Sequence, residues 1–159
     1  MHKKKLYLET SIFGFYYDKN PLNIEKKEYV YKLFEQIKQG IFEGIVSQYV
    51  AAELEKADEI GVDLLKLIKD YSIKVIQIDE DEVENLVNEY IESEILQENL
   101  KLDARHVACA TVLDVDILVS LNLKHIVNTW KIKGFNGINL KLGYRTIEIV
   151  TPMEAVYEE

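Results

Sequence analysis

The chain alternates short apolar runs with longer stretches in which apolar positions recur every three or four residues. Leu6-Tyr7-Leu8, residues 44–47, residues 73–78, Ile117-Leu118-Val119 and residues 146–150 are runs of the first kind, and they predict strands. Tyr29, Leu33, Phe34 and Ile37 predict a helix from near residue 24 to residue 39, with Gly40 as its stop. Ser47 reads as the cap of a helix carrying Val50, Leu54 and Ala57, and a further helix is expected over residues 63–71. An acidic helix follows, with Val83, Leu86, Val87, Tyr90 and Ile91 as its apolar stripe. Residues 102–113 predict a helix whose small side chains (Ala104, Ala108, Cys109, Ala110) suit close packing on a sheet. Thr151-Pro152 is the cap and first-turn pair of a terminal helix.

Strands that alternate with helices argue for a mainly parallel sheet of about five strands covered on both faces, a three-layer α/β/α fold. No Asn-Gly turn joins two strands, since Asn136-Gly137 precedes a helix-like stretch. In such sheets ligands bind beyond the carboxyl ends of the strands, where strand order reverses.

Composition narrows the class. The chain has 159 residues, 48% hydrophobic and 30% charged, which predicts one soluble globular domain spanning 1–159. A single cysteine, Cys109, excludes an internal disulfide framework and Cys-rich zinc modules, reads as a core residue and fits a reducing cytoplasm. Residues 107–121 form the longest apolar stretch, but Asp114 and Asp116 interrupt it, so no membrane span is expected. Glu9 comes too early for a secretory apolar core, and the start is read as a strand.

Nineteen Lys and Arg against twenty-eight Asp and Glu leave a net charge of −9, which argues against a nucleic-acid partner. Residues 79–98, however, hold nine acids and no Lys or Arg, so this one segment accounts for the whole excess. It reads as the solvated face of a helix. Lys3, Lys4, Lys5, Lys124, Lys131, Lys133, Lys141 and Arg145 are then free to build a basic surface.

Four polar positions fall at one sheet edge. Glu9 ends the first strand, Asn122 lies just beyond the fourth, Asp103 opens the helix before the fourth, and Glu53 sits beside the apolar stripe of the helix after the second. For a single Asp at a helix start, capping is the ordinary explanation, so the set carries the argument. Three carboxylates within ~5 Å would repel by about 3 kcal/mol per pair at an effective dielectric of about 20, so protons or a cation must neutralise them. Mg²⁺ or Mn²⁺, which take oxygen ligands together with substrate phosphates, are the natural counter-ions, and the implied substrate is a phosphate or phosphodiester.

These residues give the chain a resemblance to the PIN-domain nucleases, and within them to the VapC-like toxin branch. Its elements are Leu6-Tyr7-Leu8-Glu9-Thr10-Ser11, Val46-Ser47 with Glu53-Leu54, Asp103 to Ala110 with His106 inside it, Asp116 to Asn128 with Ser120, Asn122 and His125, and Thr151-Pro152. The resemblance implies a central parallel sheet and an acidic Mg²⁺ or Mn²⁺ site that cuts RNA endonucleolytically. It further implies a homodimer and, for toxins, a neutralising antitoxin protein. Two positions depart from the family pattern: Glu9 stands where Asp is common, as in a Glu-Thr-Ser subgroup, and Asn122 replaces a fourth acid. With a charge of −3 rather than −4, one held ion is expected before two.

The expected roles follow. Glu9, Asp103 and Glu53 hold the ion, Asn122 aligns a metal-bound water, and Thr10 and Ser120 are supporting donors, although such hydroxyls more often satisfy backbone groups. His106 would orient Asp103, and His125 would meet a phosphate, against the commoner use of each as a packed, hydrogen-bonded histidine. Trp130 beside Lys131 and Lys133 has the makings of an RNA-stacking site, but a lone Trp there more often anchors a loop onto the core. Phe15, Tyr16 and Tyr17 fit a dimer face, a substrate groove or core packing. The alternative to an enzyme is a PIN-like binding module that has lost catalysis. A phosphoacceptor receiver is disfavoured, because Thr10-Ser11 follows Glu9 where a second acid is needed and Thr151-Pro152-Met153 offers no lysine.

Overall fold

The computed structural model describes residues 2–158; Met1 and Glu159, the ends of the span expected to form one domain, lie outside them. The elements run β1 (Lys4–Leu8), α1 (Thr10–Tyr16), α2 (Ile24–Lys38), β2 (Phe42–Ser47), α3 (Gln48–Glu55), α4 (Gly61–Asp70), β3 (Lys74–Ile76), α5 (Glu80–Glu92), α6 (Lys101–Val112), β4 (Ile117–Val119), α7 (Thr129–Lys141), β5 (Glu148–Val150) and α8 (Pro152–Ala155). The strands form one sheet in the order β3-β2-β1-β4-β5, and every pairing is parallel. Helices flank it, as the three-layer α/β/α reading expects: α5 packs on α6 and α7, α2 on α1 and α8, and α3 on α4.

β1 is the middle strand, and Leu6, Tyr7 and Leu8 are fully buried because sheet neighbours and helices cover them on every side. Chain order reverses at β1, since β2 lies on one side of it and β4 on the other. The Glu9 N–H donates to Val119 O at 3.1 Å and the Ser120 N–H to Val150 O at 3.0 Å, so the carboxyl ends of β1, β4 and β5 are stitched level. This edge, at the switch point, is where the four polar positions lie.

Helix ends follow local chemistry. Asp79 Oδ1 accepts from the N–H of Asp81 at 2.9 Å, capping α5, whose first-turn acids also suit the positive end of the helix dipole. Gly40 follows α2 with φ +84°, a left-handed position that a glycine adopts at no steric cost.

Two elements differ from expectation. Residues 10–16, to which the sequence reading assigned no element, form α1, a short helix started by the side chain of Glu9 and held by burial of Ile12 and Phe13. Asn136-Gly137 lies inside α7 rather than before a helix, and Trp130, expected to anchor a loop, is 77% exposed in the first turn of α7. With Gly134 and Gly137 inside it, α7 has weak helix propensity; its packing compensates. A side-chain carbon at Gly134 would meet Ile95 at 2.9 Å, and buried Asn139 is hydrogen-bonded to Tyr90 and Thr111. Tyr16 and Tyr17 pack edge-on against each other and on the core, with Tyr16 also against Phe34 and Tyr71.

Candidate functional site

Glu9 both ends β1 and caps α1. Its Oε2 accepts from the Ser11 N–H at 3.0 Å, and its Oε1 accepts from two hydroxyls, Ser11 Oγ and Ser120 Oγ, each at 2.6 Å. Each serine also accepts a backbone N–H from the segment after β4: Ser11 Oγ from Leu121 at 3.0 Å and Ser120 Oγ from Asn122 at 2.9 Å. Only 6% exposed, Glu9 is therefore fixed by a cage of donors that tie the end of β1 to the end of β4. Ser120 serves both expected purposes at once, supporting the acid and satisfying backbone. Ser11 was not singled out in the sequence; the signal available was Glu-x-Ser at a helix start, where a side-chain oxygen two residues back can bond the hydroxyl and the N–H.

A second cluster forms around His106, which is 2% exposed on α6. Its Nε2 lies 2.8 Å from Glu53 Oε1, its Nδ1 2.9 Å from the Tyr7 hydroxyl, and that hydroxyl 2.8 Å from Ser47 Oγ. One proton assignment satisfies all of them: Ser47 donates to Tyr7, Tyr7 to His106 Nδ1, and His106 Nε2–H to an ionised Glu53. Burial pushes the Glu53 carboxyl upward, but the hydrogen bond from His106 and the electrostatic attraction of its N–H, helped by Arg105, outweigh it and leave its pKa below the usual carboxylate range. His106 thus orients Glu53 rather than Asp103, because its two ring nitrogens bond Glu53 on α3 and Tyr7 on β1. Tyr7 and Ser47 are neighbours of this cluster that the sequence hid, since both read as ordinary strand and cap residues.

Asp103, half-buried in the first turn of α6, has no comparable partner. Burial raises its pKa above the usual aspartate range; the nearby Asn122 amide and His125 pull it back, and the charge of Glu9 adds to the rise. Asn122 Oδ1 accepts from the His125 N–H at 3.1 Å. That oxygen was expected to align a metal-bound water, yet it closes a backbone turn here, and the amide group faces Asp103 instead. Thr10 Oγ1 is buried with no hydrogen-bond partner, beside Glu53.

Glu9, Glu53, Asp103 and Asn122 thus share the carboxyl edge of the sheet, with the charge of Glu9 acting on Asp103. Among the described residues, no three acid, imidazole or thiol groups stand close enough to hold one metal ion. The expected three-carboxylate nest is accordingly divided in two: Glu9 with Asp103, and Glu53 with His106. In donor chemistry the set suits a hard divalent cation, with carboxylate oxygens, a raised aspartate and an orphaned buried hydroxyl. The expected basic residues do not form one surface. Lys4 and Arg145 line a cleft with Asp116 and Thr146, whereas Lys124 and Lys131 line another with His125. No protein-family model matches the chain, and no curated protein matches it either.

Proposed function

We propose that this protein is a Mg²⁺- or Mn²⁺-dependent endoribonuclease built on the plan of the PIN-domain nucleases it resembles. The observation that carries the reading is Asp103, a half-buried carboxylate whose ionisation is disfavoured by burial and by Glu9, at the switch point of a parallel sheet. A carboxylate in that position is stabilised by a cation. Glu9 and Asp103 are the residues that would hold it, with Glu53 on the same edge but paired with His106; a bound ion would acidify a water and offset charge on a phosphoryl group.

The chain's own groups prepare this. Ser11 and Ser120 immobilise Glu9, the hydrogen bond from His106 favours the ionised form of Glu53, and Asn122 favours the charged form of Asp103. A toxin role, with a homodimer and an antitoxin, extends the proposal by resemblance.

A specific observation favours the second reading, a binding module without hydrolysis: the oxygen of Glu53 that meets His106 already accepts a hydrogen bond, and Glu9 already accepts three. Cleavage assays on single-stranded RNA separate the two. The nuclease reading predicts Mn²⁺-dependent internal cuts, abolished by a chelator and reduced roughly hundredfold or more in Asp103→Asn, with circular dichroism unchanged. Equal cleavage by that variant rejects the site, and absence of any cleavage by the intact protein favours the module.

A further inference from the structure

Beside the acidic rim lies a surface of opposite sign. Gln97, Leu100, Lys124, His125 and Lys131 line a cleft of about 330 Å³, and no carboxylate is among them. In a chain of net charge −9 that is a local reversal of sign. Lys131 Nζ donates to the backbone oxygen of Ile95 at 2.7 Å, so a neutral partner holds the ammonium in place and leaves its charge uncompensated. Among the described residues, Lys124, Lys131 and Lys133 form no ion pair; the pairs that exist use other cations.

Two chain segments join this cleft to the acids. Leu100 immediately precedes α6, whose first turn carries Asp103, and Asn122 holds the His125 N–H. Trp130 lies next to Lys131 in the first turn of α7, where Asn128 Oδ1 accepts from the N–H of both, at 3.1 and 3.2 Å. Its indole is 77% exposed, with only the Lys133 ammonium over it, 5.2 Å from the ring centroid. A Trp left in water forgoes most of the stabilisation that burying so large an apolar side chain provides. The ring does not line the cleft itself, but its neighbour in the chain, Lys131, does, and its exposure leaves it open to a planar group.

We infer that this surface holds an unpaired RNA strand: phosphates rest on Lys124, His125 and Lys131, and a base stacks on Trp130. Duplex geometry hides the base faces, so only a single strand offers both a backbone and a free ring. The inference rests on the nuclease reading for what happens at the neighbouring acids, but not for binding.

Trp130 is the only tryptophan, so its fluorescence reports the contact directly. The full chain is titrated with a short oligouridylate in excess EDTA, which prevents cleavage. The expected result is saturable quenching that weakens as salt rises, with a log–log salt slope lower by about one in Lys124→Ala. Binding of a labelled oligouridylate, followed by anisotropy, is expected to weaken about tenfold in Trp130→Ala. No quenching, or equal quenching by the same strand paired with oligoadenylate, overturns the inference. Binding without cleavage when Mn²⁺ is restored overturns the nuclease reading and leaves this one standing.

Discussion

At the scale of single residues, the site sets one carboxylate against stability. Because burial and Glu9 raise the Asp103 pKa, the folded chain holds this proton more tightly than the unfolded chain does. The unfavourable contribution is absent below the ordinary aspartate range of about 3.9 and grows as pH rises through the folded pKa. Thermal melts of wild type and Asp103→Asn across acid to neutral pH should diverge in favour of the variant as pH rises; a gap independent of pH contradicts the shift. Ser120 works in the opposite direction. Its hydroxyl donates to Glu9 and accepts from Asn122, so Ser120→Ala removes one of the two hydroxyl donors to a buried carboxylate oxygen and strands a backbone N–H. The expected loss is about 2 kcal/mol in denaturant unfolding. A loss near zero would mean that Ser11 and the backbone suffice to hold Glu9.

These residues show unevenly in the sequence. Glu9, Glu53, Asp103 and Asn122 could be found because each stands at a strand end or beside an apolar stripe, where a polar side chain needs a reason. Tyr7 and Ser47 could not, since a hydroxyl that bonds across the fold looks the same in sequence as one that bonds its own turn. The partner of His106 was misassigned for a related reason. Spacing of three on a helix puts it near Asp103, but ring orientation, which depends on Tyr7 ninety-nine positions away, turns it to Glu53.

At the scale of elements, position of the site depends on how α3 meets α4. A side-chain carbon at Gly61 would stand 2.9 Å from Leu54 O and 3.1 Å from Glu55 O, so the two helices approach at backbone contact. Glu53 lies in the turn that this contact supports. Gly61→Ala is expected to destabilise the fold by about 1–3 kcal/mol and to disturb the Glu53–His106 pair, read as a shifted His106 ring resonance in NMR. An unchanged melting point would show that α4 yields without strain. The strands were legible because buried parallel strands are short and apolar, and the long helices because their stripes are regular. α1 and α7 were not: one is two turns long and begins on a Glu, and the other has glycines in its middle and polar Asn136 and Asn139 on its packed side. Tertiary contacts, rather than local periodicity, decide both.

At the scale of the whole molecule, topology does what no local pattern can. Strand order β3-β2-β1-β4-β5 brings residues from the start, the middle and the last third of the chain to one edge. No helix among the described residues is long and apolar enough to cross a membrane. The acids of α5 hold other parts of the surface, Glu84 pairing with Arg105 and Glu82 with Tyr144, so the excess negative charge is not the charge of the site. The proposal puts a cation at Glu9 and Asp103, with Glu53 on the same edge. Its most direct measurement is titration of the full chain with Mn²⁺ followed by electron paramagnetic resonance of the free ion. The account predicts saturable uptake of about one ion, weakened roughly tenfold or more in Asp103→Asn. Uptake that is absent from the folded wild-type protein at millimolar Mn²⁺, or equal in the variant, would contradict it.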